Sequence, residues 1–299
     1  MKIEIERILA KRIWLPRWGE IALSALQLAL ISGMMLIPLF TPGTTAFKSV
    51  SLLNGSGLTG RWLHSIHSYS GDVFLFASVI HTIEYLLKKS YRDYAIKPWL
   101  LLITLAVFSV LTVFSGFLSI GSKESLAALH IFSGLLQIPT QAGKALFLFL
   151  LGGNSQMSAT ATIYFHHIAT FTVLTLILTY IHIKRLKAES YAFYYTFVLV
   201  LIVSLFFPAS IGQALSSPAE VLKGPWYFIG LQELLSWMPV WFAGWLFPLL
   251  VFLLLSVMPA LRKHDRFVLY ILAVFLLFYL AESGIGTFLR GAGWQLLLR

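Results

Sequence analysis

Cysteine is absent from all 299 residues. That absence excludes disulfides, thiolate metal sites, cysteine-ligated iron–sulfur clusters and thioether attachment of a prosthetic group, and it leaves the redox compartment open. Charge is scarce too: only 11% of residues are charged, and the acidic ones, 12 against 22 basic, are the scarcest. A soluble domain carries roughly 25% charged residues, so a soluble fold is excluded. What fills the chain instead is apolar: 58% of residues are hydrophobic and the mean hydropathy is +0.83. The composition is that of an all-α integral membrane protein in a lipid bilayer. The net charge of +10 does not indicate a nucleic-acid partner, because the basic residues fall between apolar runs rather than in one patch. The charged stretch from Lys2 to Arg17 precedes an apolar run too long for a signal h-region and carries no small-residue cleavage site, so it is expected to be retained.

A spanning helix needs roughly 20 apolar residues, and seven segments meet or approach that length: 19–40, 67–87, 98–118, 163–183, 192–208, 241–260 and 267–288. The fifth is the shortest and is stopped by Pro208. Two long connections, 119–162 and 209–240, are expected to carry short helices, at Leu126 to Leu136, Gly143 to Leu151 and Leu231 to Trp237. Connections of that length are uncommon without a function. With the N-terminus cytoplasmic, fifteen basic residues fall on the cytoplasmic side and seven on the other. The chain is therefore read as a multi-pass protein of the cytoplasmic membrane, N-terminus inside and C-terminus outside. A linker-like shift at Ala188-Glu189-Ser190 divides a four-helix part, 1–187, from a three-helix part, 188–299.

Histidine in hydrocarbon is costly unless something binds it, which makes intramembrane histidines functional candidates. His67 and His81 are fourteen residues apart, about 40° short of whole helical turns and ~21 Å along the axis. His167 and His182 are fifteen apart, about 60° off whole turns and ~22 Å apart. Each pair shares a helix face. Because both helices run inward, His67 is level with His167 near the outer surface and His81 with His182 near the cytoplasmic one. Two facing pairs result, each able to bind one iron axially. Zinc is disfavoured by two ligands per site with no nearby carboxylate or thiolate. Gly19 and Gly33 repeat the fourteen-residue interval on the first helix and Gly116 stands on the third, where they are expected to permit close approach of a macrocycle.

These residues carry a resemblance. Residues 19–187 resemble the dihaem half of cytochrome b from quinol:cytochrome oxidoreductases of the bc and plastid type. The likeness runs through Gly19 and Gly33, Ser65-Ile66-His67 with His81, Leu111-Thr112 to Gly116, Ile138-Pro139, and His167 with His182. Residues 191–288 resemble the three-helix second half. The resemblance implies two non-covalent b haems, one on His67 and His167 and one on His81 and His182. It implies a quinone site, for menaquinone or ubiquinone, beside each. His64 stands where the family has an arginine that meets a haem propionate, and Arg185, with Lys11, Arg12 and Lys184, is placed to steady propionates or a quinone anion. Arg17 occupies the position at which the plastid-type branch attaches a third haem through cysteine, so covalent attachment is not expected.

The family's Pro-Glu-Trp-Tyr signature, whose glutamate takes a quinol proton, is here Gly224-Pro225-Trp226-Tyr227. Proline replaces the carboxylate, and Trp226 and Tyr227 remain. A quinol must still lose protons on oxidation; Glu220, Glu233, His130 and the Tyr227 hydroxyl are candidates, and Glu282 is a further intramembrane carboxylate. The implied partners are a Rieske iron–sulfur protein, a c-type cytochrome or both, and a second copy of the chain in a homodimer. Two other readings stay open: a dihaem conduit from quinol to a multihaem cytochrome without bifurcation, and a cofactor-free transporter with histidines as proton relays.

Overall fold

The computed structural model describes residues 16–137, 140–153, 155–183, 190–218 and 221–297, without the side chains of 156–158 and 190. Glu220, Arg185, Lys184, Lys11, Arg12 and Ile138-Pro139 lie outside the described residues. Helix α1 is Trp18–Leu36, α2 Ala46–Gly55, α3 Leu58–Leu87, α4 Ile96–Ser119, α5 Lys123–Leu136 and α6 Gln141–Leu151. Helix α7 joins Gln156–Phe165, a π-helical segment His166–Phe171, and Thr172–Ile183. Then follow α8 Ser190–Phe206 and α9 Ile229–Trp237. Helix α10 opens with a π-helical turn, Phe242–Leu246, and continues as Phe247–Val257; α11 is Asp265–Phe288. No strand occurs among the described residues; one isolated bridge joins Arg290 and Leu296.

Each of the seven expected segments is a helix, and five are long and apolar enough to cross a membrane: Trp18–Leu39, Leu58–Leu87, Ile96–Ser119, Ala159–Ile183 and Asp265–Phe288. The helices Tyr191–Phe206 and Phe242–Val257 are shorter. The second span begins nine residues before the expected start, so His64 lies within it. Local sequence explains the ends. Ser122 and Thr140 cap α5 and α6 by accepting the backbone N–H of Ser125 at 3.2 Å and of Gly143 at 3.0 Å. Gly57, at φ 94°, starts α3 from a conformation that glycine alone tolerates well.

Small residues bring α1 against α3 around Ala22, Ala25, Leu26, Phe74 and Ala77. A second core gathers α4, α5, α6 and the start of α7 around Phe114, Leu118, Leu129, Leu151 and Ile163. The C-terminal helices join through Trp99, whose indole N–H donates to the Leu255 carbonyl at 2.7 Å. They are also tied by Asp265, which accepts from Tyr91 Oη at 2.8 Å and Arg92 Nε at 2.9 Å. Burial, and then the Asp265 charge, push the Tyr91 hydroxyl up to about 12. Along α11, Phe267, Tyr270, Val274 and Leu277 are each about two-thirds exposed. Their spacing makes one continuous apolar stripe, a face suited to lipid rather than water.

Candidate functional site

Helices α3 and α7 set four imidazoles face to face in two levels. The rings of His67 and His167 are 6.1 Å apart between centroids and inclined at 81°; those of His81 and His182 are 6.2 Å apart and inclined at 59°. Metal–imidazole bonds of about 2.0 Å on opposite sides of one ion, with about 1.1 Å from each nitrogen to its ring centre, require roughly 6.2 Å. Both pairs match that spacing. No group of three or more metal-ligating side chains occurs among the described residues. The pairs therefore suit a metal that receives its other ligands from a macrocycle, as haem iron does, better than zinc.

Hydrogen bonds fix the tautomer of the upper pair. His67 Nδ1 lies 3.0 Å from the Ala29 carbonyl oxygen and 3.3 Å from Ser32 Oγ. His167 Nδ1 lies 2.9 Å from the Thr112 carbonyl oxygen and 3.2 Å from Ser115 Oγ. A carbonyl only accepts, so each Nδ1 carries the proton and each Nε2 keeps its lone pair for a metal. The lower pair differs: His81 Nδ1 is buried with no hydrogen-bond partner, and its ring lies 4.6 Å from that of Tyr85.

The glycines act on the imidazoles themselves. A β-carbon on Gly33 would stand 2.9 Å from His67 Cε1, one on Gly19 2.9 Å from His81 Cε1, and one on Gly116 2.9 Å from His167 Cε1. The edge of a histidine ring lies against each of the three glycines. The unequal histidine intervals are reconciled by the π-helical segment, which begins at His166. Within it the Thr172 N–H bonds to the His167 carbonyl five residues back. This wider turn takes up one residue, so fifteen residues on α7 do the work of fourteen on α3.

His64 is buried on α3 with Nδ1 unpartnered. His166 is satisfied, its Nε2 2.8 Å from the Phe149 carbonyl oxygen and its Nδ1 2.9 Å from Thr170 Oγ1. His130 is exposed on α5. Glu233 is fully buried and paired with Arg290: Arg290 Nε donates to its Oε2 at 2.8 Å, and Trp237 Nε1 donates to its Oε1 at 2.6 Å. Burial alone would raise its carboxyl, but the bonds from Arg290 and Trp237 outweigh this and hold it below the ordinary carboxylate range. A carboxylate so held is a poor proton acceptor.

Sequence reasoning missed Asp72. It lies in the middle of α3, and its Oδ1 accepts the Trp226 indole N–H at 2.9 Å. The hydroxyl of the next residue, Tyr227, is buried without a hydrogen-bond partner. Burial pushes that hydroxyl well above its ordinary value, and the Asp72 charge pushes the same way. Trp226 and Tyr227 are thus brought to one place with a carboxylate from a helix 154 residues earlier. The signal that marks Asp72 in the sequence is an acidic residue inside a spanning segment, five positions after a haem-ligand candidate.

The family model described as Cytochrome b/b6/petB matches residues 9–217. The cytochrome b of Acanthamoeba castellanii is 24% identical over 180 residues, which are 59% of this chain and 47% of that protein. The cytochrome b of Cereibacter sphaeroides is 24% identical over 171 residues, 56% of this chain and 38% of that one. The chain thus spans less than half the length of these relatives. Among solved structures, a chain of a hyperthermophilic respiratory Complex III superposes with a TM-score of 0.68 at 21% identity, covering 90% of this chain and 83% of that one. At that identity the likeness is one of fold.

Proposed function

The chain belongs to the cytochrome b family, and from that premise we propose that it is the dihaem membrane subunit of a quinol-oxidising respiratory complex. The observation that carries the reading is the pair of facing imidazoles at 6.1 Å and 6.2 Å. His67 and His167 would hold one b haem, and His81 and His182 the other. Bound haem supplies reversible one-electron transfer between its ferric and ferrous states. The protein's part is to present four neutral Nε2 lone pairs, to lock the upper two through Ala29 and Thr112, and to exclude water with apolar helices. Quinone, as menaquinone or ubiquinone, would be handled beside each level, with Trp226 and Tyr227 at the outer one. In this reading α8 and α10 also cross the bilayer, giving seven spans in a four-helix and a three-helix part, N-terminus inside. A Rieske protein or a c-type cytochrome, and a second copy of the chain, are the expected partners.

Pro225 in place of a carboxylate favours a second reading, the same two haems feeding a multihaem cytochrome without bifurcation. Co-purification of a Rieske protein would support the first reading and its absence the second. Family membership leaves a cofactor-free transporter without support.

The direct test is spectroscopic. Purified protein should give a reduced b-type spectrum with two haems per chain, and His182→Ala should lose one haem and keep much of the other. A folded, haem-free preparation would overturn the reading.

A further inference from the structure

Among the described residues the ion pairs use Glu84, Asp265 and Glu233. Among those residues Asp72 pairs with no cation, although it sits midway along a membrane span. An isolated carboxylate there is costly and marks a site of proton or ion handling. Its position on α3 is about 7.5 Å along the helix axis from His67 and about 13.5 Å from His81, so it belongs to the upper level.

Around it two acceptors are already engaged. The Tyr227 carbonyl accepts from Tyr279 Oη at 2.5 Å. Glu233 is held by Arg290 and two tryptophans, whereas Glu282 lies on α11 with its Oε2 buried and without a hydrogen-bond partner. At Trp226 stand the Asp72 carboxylate, bonded to its indole, the buried unpartnered hydroxyl of the next residue, Tyr227, and aromatic walls. Phe114 lies 4.6 Å from Phe228 between ring centroids, and the Tyr227 ring lies 5.1 Å from that of Phe228. A flat aromatic diol fits such surroundings: the rings take its faces, and a hydroxyl and a carboxylate meet its O–H groups.

We propose that Asp72 is the proton acceptor of the outer quinol site, replacing from α3 the carboxylate that Pro225 removes from the loop. This deepens the quinol-oxidising reading and rests on it. In the step, one quinol O–H bond breaks. Its proton passes to the Asp72 carboxylate, which becomes a neutral carboxylic acid; the electron would leave to a one-electron oxidant of the ferric haem class, and the quinol is left as its neutral one-electron-oxidised radical. The acid then releases the proton toward the outer surface. The Trp226 N–H fixes the carboxylate's orientation, and the Tyr227 hydroxyl donates to the second quinol oxygen.

The test uses haem-loaded protein in detergent. Stopped-flow reduction of the haems by a short-chain naphthoquinol or benzoquinol should be slower in Asp72→Asn by about 10²-fold or more. Asp72→Glu, which keeps a carboxylate, should recover most of the rate. The haem spectrum after dithionite should match the unsubstituted protein in both variants. Unchanged quinol reduction in Asp72→Asn would overturn the assignment. If Asp72→Asn does not fold, Asp72→Glu carries the test: a quinol-induced carboxylic-acid band in the infrared difference spectrum must shift in that variant, and an unshifted band overturns the proposal. Quinol failing to reduce the haems of the unsubstituted protein would instead overturn the underlying reading.

Discussion

Replacing Gly33 by alanine tests whether the upper imidazole is as tightly seated as its neighbours imply. The new β-carbon would stand 2.9 Å from His67 Cε1 and 3.3 Å from Nδ1. Carbon atoms in good contact sit about 3.5–4.0 Å apart, so the ring must retreat by roughly 0.6 Å or more. It can only move away from α1, which also carries Ala29. The Nδ1 to Ala29 distance, now 3.0 Å, then lengthens to about 3.6 Å, beyond a useful hydrogen bond. Losing that bond costs about 0.5–1.5 kcal/mol, and overpacking adds about 1–3 kcal/mol. A loss of ~2–4 kcal/mol corresponds to roughly 30- to 1,000-fold in haem affinity, overlapping the tenfold to hundredfold effect typical of a disturbed supporting shell. The assay is haem per chain by pyridine haemochrome, with the temperature of haem release. Gly33→Ala should hold close to one haem where the parent holds two. Gly284→Ala, where nothing lies within 4 Å of the added carbon, is the control. Gly19→Ala should lose less, because His81 Nδ1 has no hydrogen bond to forfeit. Two haems and an unchanged release temperature in Gly33→Ala would refute the argument.

Deleting Ala169 should convert the π-helical segment of α7 to α-helix and leave both histidines facing their partners, so two haems remain. Inserting one alanine at the same point turns His182 by about 100° and should cost the lower haem; retention of both haems after the insertion would show that the segment does not set the register. Arg290→Met strands a buried carboxylate and should lower the melting temperature by about 5–10 °C, measured by thermal unfolding in detergent. Because the folded Glu233 carboxyl lies below its ordinary value, its contribution is present above about pH 4.3 and is lost as the pH falls through the depressed value. Arg290→Met should abolish that acid-dependent part, and an unaltered pH profile would count against the pair.

The helices and the four imidazoles were legible because both rest on local pattern: apolar runs of membrane length, and histidines at intervals that share a face. The shared interval of Gly19 and Gly33 was also legible, although the ring edges of His81 and His67 that lie against them are revealed only by packing. The π-helical segment escaped because periodicity reasoning assumes one pitch throughout. In the sequence Glu233 is one of four proton-acceptor candidates; its partner Arg290 lies 57 residues away, and no pattern along the chain links them. Asp72 stood between two histidines that drew the argument to themselves, and its neighbour Trp226 is joined to it only by folding.

The two histidine levels are not equivalent before any cofactor arrives. At the upper level both rings are already aimed, each held through Nδ1 by a backbone carbonyl, and each braced by a glycine on the helix behind it. At the lower level His81 has no such anchor and only its side of the pair is braced by glycine, so that end takes its final form around what it binds. If haem is the cargo, as proposed, the upper socket stands ready when the helices pack and the lower one is completed by what it binds. A cell short of haem would then be expected to accumulate a half-loaded form with the upper position filled.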